Sequence, residues 1–252
     1  MSGGAALAIF AAAVAAGAIN AVVGSGSLIT FPTLLALGFA PVVANVSNNV
    51  GIIPGNISAS VGYRAELAGQ RGRLWRLGIA SLTGSAAGAA ALLALPPGVF
   101  KLVVPALIIA GCMLVLIQPK LASWVAGRSS ERPDTVGPVL IVGVFLTGAY
   151  GGYFGAAQGV VLVGLLGIFM TDSLQRVNAG KNVLVTIVNA TAAVIFVILA
   201  HIAWIAVALI AAGSAAGGVV GARVGRKLPP LALRIIIVVI GVISAVKLIF
   251  FP

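Results

Sequence analysis

The sequence contains few of the residues on which enzymes and metal sites depend. Among 252 residues there are one cysteine, one histidine and four acidic residues. One cysteine cannot form an intrachain disulfide, and paired acids or clustered ligands for a nucleophilic triad or a bound metal are missing. We therefore expect neither an enzyme nor a protein that holds a metal or another cofactor.

Charged residues are scarce as well, at 8% of the chain, whereas 61% of the residues are hydrophobic. Apolar runs of about 20 residues recur, and each is long enough to cross roughly 30 Å of hydrocarbon as a helix. Since the runs are continuous rather than alternating, they favour helices over a β-barrel. The sequence thus predicts an all-α membrane protein, a polytopic helical bundle in the lipid bilayer.

The distribution of charge narrows this prediction. No lysine or arginine precedes Arg64, so the first apolar run lacks the basic start of a signal peptide and is expected to remain as a structural helix. The net charge is +11, but the basic residues lie in short loops between hydrophobic runs. Membrane topology produces this distribution, so we expect no nucleic-acid partner.

Glycine, proline and charged residues divide the apolar sequence into ten segments. The second segment of each half, at 27–38 and 158–170, is too short to span a membrane unaided. The other segments are expected at 5–23, 41–62, 75–95, 98–118, 136–154, 174–199, 202–222 and 231–250.

The two halves of the chain resemble each other, which indicates duplication. Three asparagines recur 133 positions later, so that Asn45, Asn49 and Asn56 correspond to Asn178, Asn182 and Asn189. The run from Gly84 to Gly88 recurs from Gly213 to Gly217. We assign residues 1–119 to a first repeat, 120–135 to a polar cytoplasmic linker and 136–252 to a second repeat.

Basic residues concentrate in three loops, which the positive-inside rule places in the cytoplasm. These residues are Arg64, Arg71, Arg73 and Arg76; Lys120, Arg128 and Arg132; and Arg223, Arg226 and Lys227. The corresponding loops of the opposite copy hold only Lys101 and His201, so equivalent loops are predicted on opposite sides of the membrane. This arrangement is typical of inverted-topology repeats. We expect a multi-pass protein of the inner cell membrane with both termini outside.

Each repeat then has three full spans and an initial pair of segments. The parity of the crossings is the same whether the pair crosses fully or forms a broken or re-entrant helix pair, and both forms stay open. Glycines at every fourth position, Gly213, Gly217, Gly221 and Gly225, predict a close packing surface, and Gly84 and Gly88 begin the equivalent one.

The asparagines form one polar stripe in each half. At 100° per residue, the three members of a stripe fall within about 40° of each other on a helix. Such stripes either join helices by hydrogen bonds or face each other along a substrate pathway. Lys181, about 60° off its stripe, either adds positive charge to an anion site or extends to the membrane surface.

A glycine-bearing break precedes each short segment, at Gly24–Ser27 and at Gly155–Gln158. The helix start after each break presents unpaired N–H groups and a positive dipole end, which suit an anion. All four acids, Glu66, Glu131, Asp134 and Asp172, lie in or beside predicted cytoplasmic loops, so the membrane holds no carboxylate for a proton relay or a sodium site. The candidate substrate-binding residues are Ser25, Gly26, Ser27, Asn45, Asn49, Gln158, Gly159, Asn178, Lys181 and Asn182.

The run from Gly24 to Gly38, followed by Pro41, the first stripe and Tyr63-Arg64 before a basic loop, resembles the TauE/SafE sulfite exporter family. The region from Gly148 to Leu199 is similar to that family's second copy, and the resemblance covers essentially the whole chain. It implies export of sulfite or small organosulfonates across the cytoplasmic membrane.

Together with the inverted halves, the resemblance predicts a secondary transporter with alternating access at a midplane site for a small anionic substrate. Two other functions stay open. One is a channel or carrier for another small anion or an organic acid, and the other is a non-transporting membrane scaffold. The sequence does not indicate an oligomeric state.

Overall fold

The protein is described by a computed structural model over residues 1–126, 136–224 and 230–250. The first half contains α1 Gly3–Val22, α2 Ser27–Ala36, α3 Pro41–Gly62, a 3₁₀ turn at Arg64–Leu67, α4 Arg71–Ala94 and α5 Pro97–Ala126. The second half contains α6 Pro138–Tyr153, α7 Gln158–Phe169, α8 Leu174–Leu199, α9 Trp204–Val224 and α10 Pro230–Phe250. Within these ranges the chain is helical and contains no strand, as the sequence predicts.

Five of the described helices, α1, α4, α5, α8 and α9, are long and apolar enough to cross a membrane by length and composition. Helix α3 is also long, with 22 residues, but its asparagines and serines lower its hydropathy. Large apolar side chains such as Leu102 and Ile198 are exposed on the outer surface. A lipid environment accommodates such a surface, which is unusual in a soluble monomer. The chain is therefore a multi-pass membrane protein.

The ten predicted segments correspond to the ten α-helices of the described ranges, and only two ends differ by more than two residues. Helix α5 passes through Pro119 and continues to Ala126, so the predicted end at 118 is wrong, and the first part of the predicted linker is helical. Proline removes one backbone donor, and the helix continues around it. Helix α4 begins at Arg71 instead of residue 75, and its 24 residues extend about 36 Å, which is longer than the hydrocarbon layer. Residues 127–135 of the linker lie outside the described ranges.

In each half, the chain turns back on itself after the first helix. Gly24, with φ of +83°, follows α1, and the N–H of Gly26 then donates to Oδ1 of Asn20 at 3.4 Å. In the second half, Gly155 and Ala157 have φ of +77° and +60° in the turn between α6 and α7. Glycine adopts this left-handed conformation readily, which explains the glycines in the breaks. Helices α2 and α7, at 10 and 12 residues, are only about 15 and 18 Å long.

Glycines allow close packing in two helix pairs, at the surfaces that the sequence predicts. Helix α9 packs on α1 through Gly213, Gly217 and Gly221, and α4 packs on α6 through Gly84 and Gly88. A Cβ added at Gly217 would lie 2.0 Å from the carbonyl oxygen of Val14, and one at Gly88 would lie 1.9 Å from that of Ala149. The backbones therefore touch where the predicted glycine surfaces lie. Gly225 falls outside the described ranges.

Several helix contacts recur when each helix is exchanged for its equivalent in the other half. The pair α1–α9 corresponds to α6–α4, the pair α3–α9 to α8–α4, and the pair α2–α10 to α7–α5. Helices α3 and α8, which carry the asparagine stripes, pack on each other. They run antiparallel, since Ser47 near the start of α3 accepts from the N–H of Ala203 after α8, whereas Ser60 near the end of α3 contacts Thr186, 3.3 Å away.

Candidate functional site

The two chain breaks meet in the interior of the bundle. The N–H of Gly159, at the start of α7, donates to the carbonyl oxygen of Gly24 at 3.2 Å. A Cβ added to either glycine would lie 2.6 Å from the Cα of the other. Nearby, the ring of Phe31 on α2 packs edge-on against Phe154, with ring centroids 5.2 Å apart. Glycine at both positions thus allows the two hairpins to cross in direct contact.

Lys181 lies beside this crossing. Its side chain is fully buried, and Nζ donates to the carbonyl oxygens of Asn20 at 3.0 Å and Ala21 at 3.4 Å. Asn182 adds a third bond, from Nδ2 to the oxygen of Ala21 at 3.3 Å. The last carbonyls of a helix lack internal partners and form the negative end of its dipole, so an amine is a favourable cap. The interpretation that Lys181 extends to the membrane surface is wrong, because no part of it is exposed.

The second half receives a similar contact from the first. Nδ2 of Asn45, on α3, donates to the carbonyl oxygen of Tyr153 at 3.0 Å, where α6 ends. Helix α8 of one half therefore caps the end of α1, and helix α3 of the other half caps the end of α6. The two stripe helices hold the hairpins of opposite halves.

A network of amides continues from these contacts. Oδ1 of Asn189 accepts from Nδ2 of Asn49 at 3.3 Å and from Nε2 of Gln158 at 3.0 Å, which joins α3, α7 and α8. Asn20 donates to Asn56 in the first half. The six stripe asparagines are all buried. The stripes therefore face each other at Asn49 and Asn189, as a substrate pathway requires. Part of each stripe also joins helices by hydrogen bonds, so both interpretations of the stripes have support.

Several polar atoms of this centre are buried and have no hydrogen-bond partner within the described chain. They are Oγ of Ser25, Oδ1 of Asn49, Nδ2 of Asn56, Oε1 of Gln158 and Oδ1 of Asn178. Each such atom costs about 1–3 kcal/mol when it is left unpaired. Buried polar groups are normally bonded to protein, water or a ligand, so this centre has capacity to bind a small polar molecule.

The predicted site residues fall into two groups by what they do in this conformation. Asn45, Lys181 and Asn182 cap helix ends, and the N–H groups of Gly26 and Gly159 are bonded to protein oxygens. Ser25, Asn49, Gln158 and Asn178 have an unpaired polar atom, while Ser27 is half-buried at the start of α2. Of the ten residues, all except Ser27 are buried.

Sequence reasoning missed some of the polar centre. Asn20 bonds to both Asn56 and Gly26, and Thr30 on α2 donates to Oδ1 of Asn48 at 2.5 Å. Asn20 had a usable signal, because it is the one amide side chain in the apolar run of α1. The carbonyls of Asn20, Ala21 and Tyr153 had none, since every residue has a carbonyl and only the fold selects these.

The acids that the structure describes lie away from this centre. Asp172, just before α8, pairs with Arg73 and with Arg176, whose Nε lies 2.7 Å from Oδ1. Glu66 belongs to the 3₁₀ turn after α3. Together with a bond of 3.1 Å from Gln70 to the carbonyl of Arg176, these contacts tie the loop after α3 to the start of α8. Glu131 and Asp134 lie outside the described ranges, and no group of three His, Cys, Asp or Glu residues in the rest could hold a metal.

A buried polar centre within a bundle of apolar helices is typical of membrane transporters. The chain belongs to the sulfite exporter TauE/SafE family, whose model matches residues 9–248. This confirms the resemblance noted in the sequence.

Named relatives agree with this assignment. The chain is 28% identical to a "Probable membrane transporter protein" of Haemophilus influenzae, over 96% of this chain and 93% of the relative. It is 26% identical to "Probable membrane transporter protein YfcA" of Escherichia coli K12, over 96% and 88%. It is 25% identical to "Probable membrane transporter protein ORF9" of a Sinorhizobium species, over 97% and 92%. No solved structure matches the chain.

Proposed function

We propose that the protein is a secondary transporter that exports a small sulfur oxyanion, sulfite or an organosulfonate, by alternating access. The substrate site lies between two inverted repeats, residues 1–119, which α5 extends to Ala126, and residues 136–252. The protein lies in the inner cell membrane with both termini outside. The family description supports the substrate class.

One observation carries the proposal: Lys181 is fully buried, and no described carboxylate pairs with it. A buried ammonium group without a counter-ion is costly. Its present partners, the carbonyls of Asn20 and Ala21, are neutral, so a small anion beside it would lower the free energy of the charged amine. Asn49, Gln158 and Asn178 hold amides with spare bonding capacity, and an amide NH₂ can donate to an oxyanion after rotation of the side chain.

The packing of the helices supports inverted repeats. Stripe helices α3 and α8 run antiparallel, and equivalent helix contacts recur in both halves. In transporters of this kind, discontinuous helices from two inverted halves meet at the substrate site near the midplane. The contact between Gly24 and Gly159, where the short helices α2 and α7 begin, has this character.

The reciprocal caps suggest how the halves rearrange. Rocking of one half against the other would break the bonds from Lys181 to the end of α1 and from Asn45 to the end of α6. The released donors would then be available for the anion. The ion pairs between Arg73, Asp172 and Arg176 close the end that the arginine-rich loops place in the cytoplasm. We therefore assign this conformation to a state that is closed towards the cytoplasm.

Export of an anion needs no coupling ion under this proposal. An inside-negative potential expels each net negative charge with about 2.3 kcal/mol per 100 mV. A uniport mechanism is therefore sufficient to drive the substrate outward.

The direct test is efflux of sulfite from proteoliposomes under an imposed potential. The wild-type protein should release sulfite faster than protein-free vesicles, and Lys181→Met should lower the rate at least about tenfold, a loss of about 1.4 kcal/mol. The matched control is Lys101→Met, which removes an exposed lysine from α5. A thermal melt confirms that each variant is folded.

A panel of anions separates the alternatives. Sulfite and a small sulfonate should move faster than sulfate and acetate. Faster movement of acetate would indicate a carrier for organic acids. No movement of any anion by the folded wild-type protein would indicate the non-transporting scaffold, for which the Asn20–Asn56 and Asn49–Asn189 bonds are the supporting observation.

A further inference from the structure

A groove on the protein surface, away from the polar centre, lies between the start of α4 and the middle of α8. Its volume is about 850 Å³, within the roughly 300–1,000 Å³ range of small-molecule sites. Leu74 on one side and Val183 and Ile187 on the other form an apolar wall. Arg71 and Arg76 lie at the same groove with Trp75, whose side chain is 73% exposed.

The two arginines have free charge. Both are exposed, and neither takes part in an ion pair or a side-chain hydrogen bond within the described part of the chain. Their neighbour Arg73 differs, because it pairs with Asp172. Guanidinium groups bind phosphate through two parallel hydrogen bonds. The groove therefore offers two cationic donors that the protein itself does not use.

The start of α4 is expected at the depth of lipid headgroups. Helix α4 has 24 residues and is about 36 Å long, so its first turns project beyond a hydrocarbon layer of roughly 30 Å. Exposed tryptophan at a helix end is typical of the membrane interface. Further along α4, Ile79 and Leu82 are exposed on the face that Trp75 begins, at spacings of four and seven residues. This face leads from the arginines into the hydrocarbon.

We propose that this groove is a binding site for one anionic phospholipid. Arg71 and Arg76 bind the phosphate of the headgroup, Trp75 packs at the level of the glycerol, and one acyl chain lies along Leu74, Val183 and Ile187. The arrangement of a charged rim above an apolar wall that is open to the bilayer fits an anionic lipid better than a free phosphate. The site does not depend on the transport proposal, because Lys181 and its partners are fully enclosed elsewhere.

Gly72 provides a way to block the site and keep its charges. It lines the groove, and a Cβ added there would meet no atom within 4 Å. A leucine at this position can therefore enter the groove without displacing the backbone. The variant Gly72→Leu tests the volume, and Arg71→Gln/Arg76→Gln tests the charge.

The test is native mass spectrometry of the detergent-purified protein with phosphatidylglycerol or phosphatidylcholine at equal concentration. The wild-type protein should retain one phosphatidylglycerol with at least tenfold higher affinity than phosphatidylcholine. Arg71→Gln/Arg76→Gln and Gly72→Leu should each reduce this preference at least fivefold, while Arg71→Lys/Arg76→Lys should keep most of it. The control, Arg64→Gln/Arg223→Gln, removes two exposed arginines that line a different cavity, of about 350 Å³, and should leave the preference unchanged.

Four results would overturn the proposal. Equal retention of the two lipids would remove the anion preference, and an equal loss in the Arg64→Gln/Arg223→Gln control would indicate general attraction to basic surface. Retention of inorganic phosphate with the affinity of phosphatidylglycerol would assign the groove to a free anion. A dimer that separates only in the Arg71→Gln/Arg76→Gln variant would show that a second copy of the chain covers the groove.

Discussion

At the scale of single residues, the buried centre contains both polar groups whose hydrogen bonds are satisfied and polar groups that lack a partner. The amine of Lys181 is enclosed without a carboxylate, and its bonds go to carbonyls at the end of α1. Asn178 is also buried, and its Oδ1 has no partner in the described chain. Asn20 is the opposite case, since it binds both Asn56 and the N–H of Gly26. Residues with and without partners should therefore respond differently to substitution.

Asn20→Leu should destabilise the protein by about 1–3 kcal/mol, because it leaves Oδ1 of Asn56 buried without its donor. Asn178→Leu removes no bond of Oδ1 and should change the stability by less, while it slows sulfite efflux at least about tenfold. Unfolding in detergent and efflux from proteoliposomes measure the two effects. If Asn178→Leu exported sulfite at the wild-type rate, Asn178 would have no part in the site.

The stripes could be predicted from the sequence because amides are rare in apolar helices and recur at one spacing. Their partners could not. Lys181 and Asn45 bind backbone carbonyls, which carry no signal in a sequence. Periodicity alone also could not decide whether Lys181 faces the surface or the interior, because that depends on which helices surround α8.

At the scale of helices, glycine determines how close the elements come. Predicted bounds for α3 and α8 match the structure, since proline or serine marks the start of each helix. The sequence predicts the wrong end for α5 because Pro119 and Lys120 together are typical of a helix end. The helix nevertheless continues through both residues. The turn that reverses each hairpin depends on left-handed backbone at Gly24 and Gly155, which the glycines allow and only the tertiary contact between the hairpins fixes.

Gly217→Ala should destabilise the protein by about 1–3 kcal/mol or more, because the added Cβ would lie 2.0 Å from the carbonyl of Val14 and would force α9 away from α1. Gly98→Ala is the matched control, since its Cβ would meet nothing within 4 Å near the start of α5. Thermal unfolding of the purified proteins compares them. Equal melting temperatures for the two variants would mean that α1 and α9 do not pack through this ridge.

At the scale of the whole molecule, the proposal depends on the relation between the halves. Within the described ranges, antiparallel stripe helices, matched helix contacts and reciprocal caps agree with two copies that face each other upside down. The distribution of charge predicts the side of the membrane on which each loop lies. The loop after α3 is rich in arginine, whereas the equivalent loop after α8 holds only His201. An inverted pair must place these two equivalent loops on opposite faces of the membrane.

The measurement that tests this most directly is labelling by a thiol reagent that does not cross membranes. Cys112 is first replaced by alanine, and single cysteines are then placed at the exposed Ala68, between α3 and α4, and at the exposed His201, between α8 and α9. In sealed right-side-out vesicles, His201→Cys should be labelled and Ala68→Cys should not, and inside-out vesicles should give the reverse. Labelling of both cysteines from the same side would contradict inverted halves and, with them, the shared anion site.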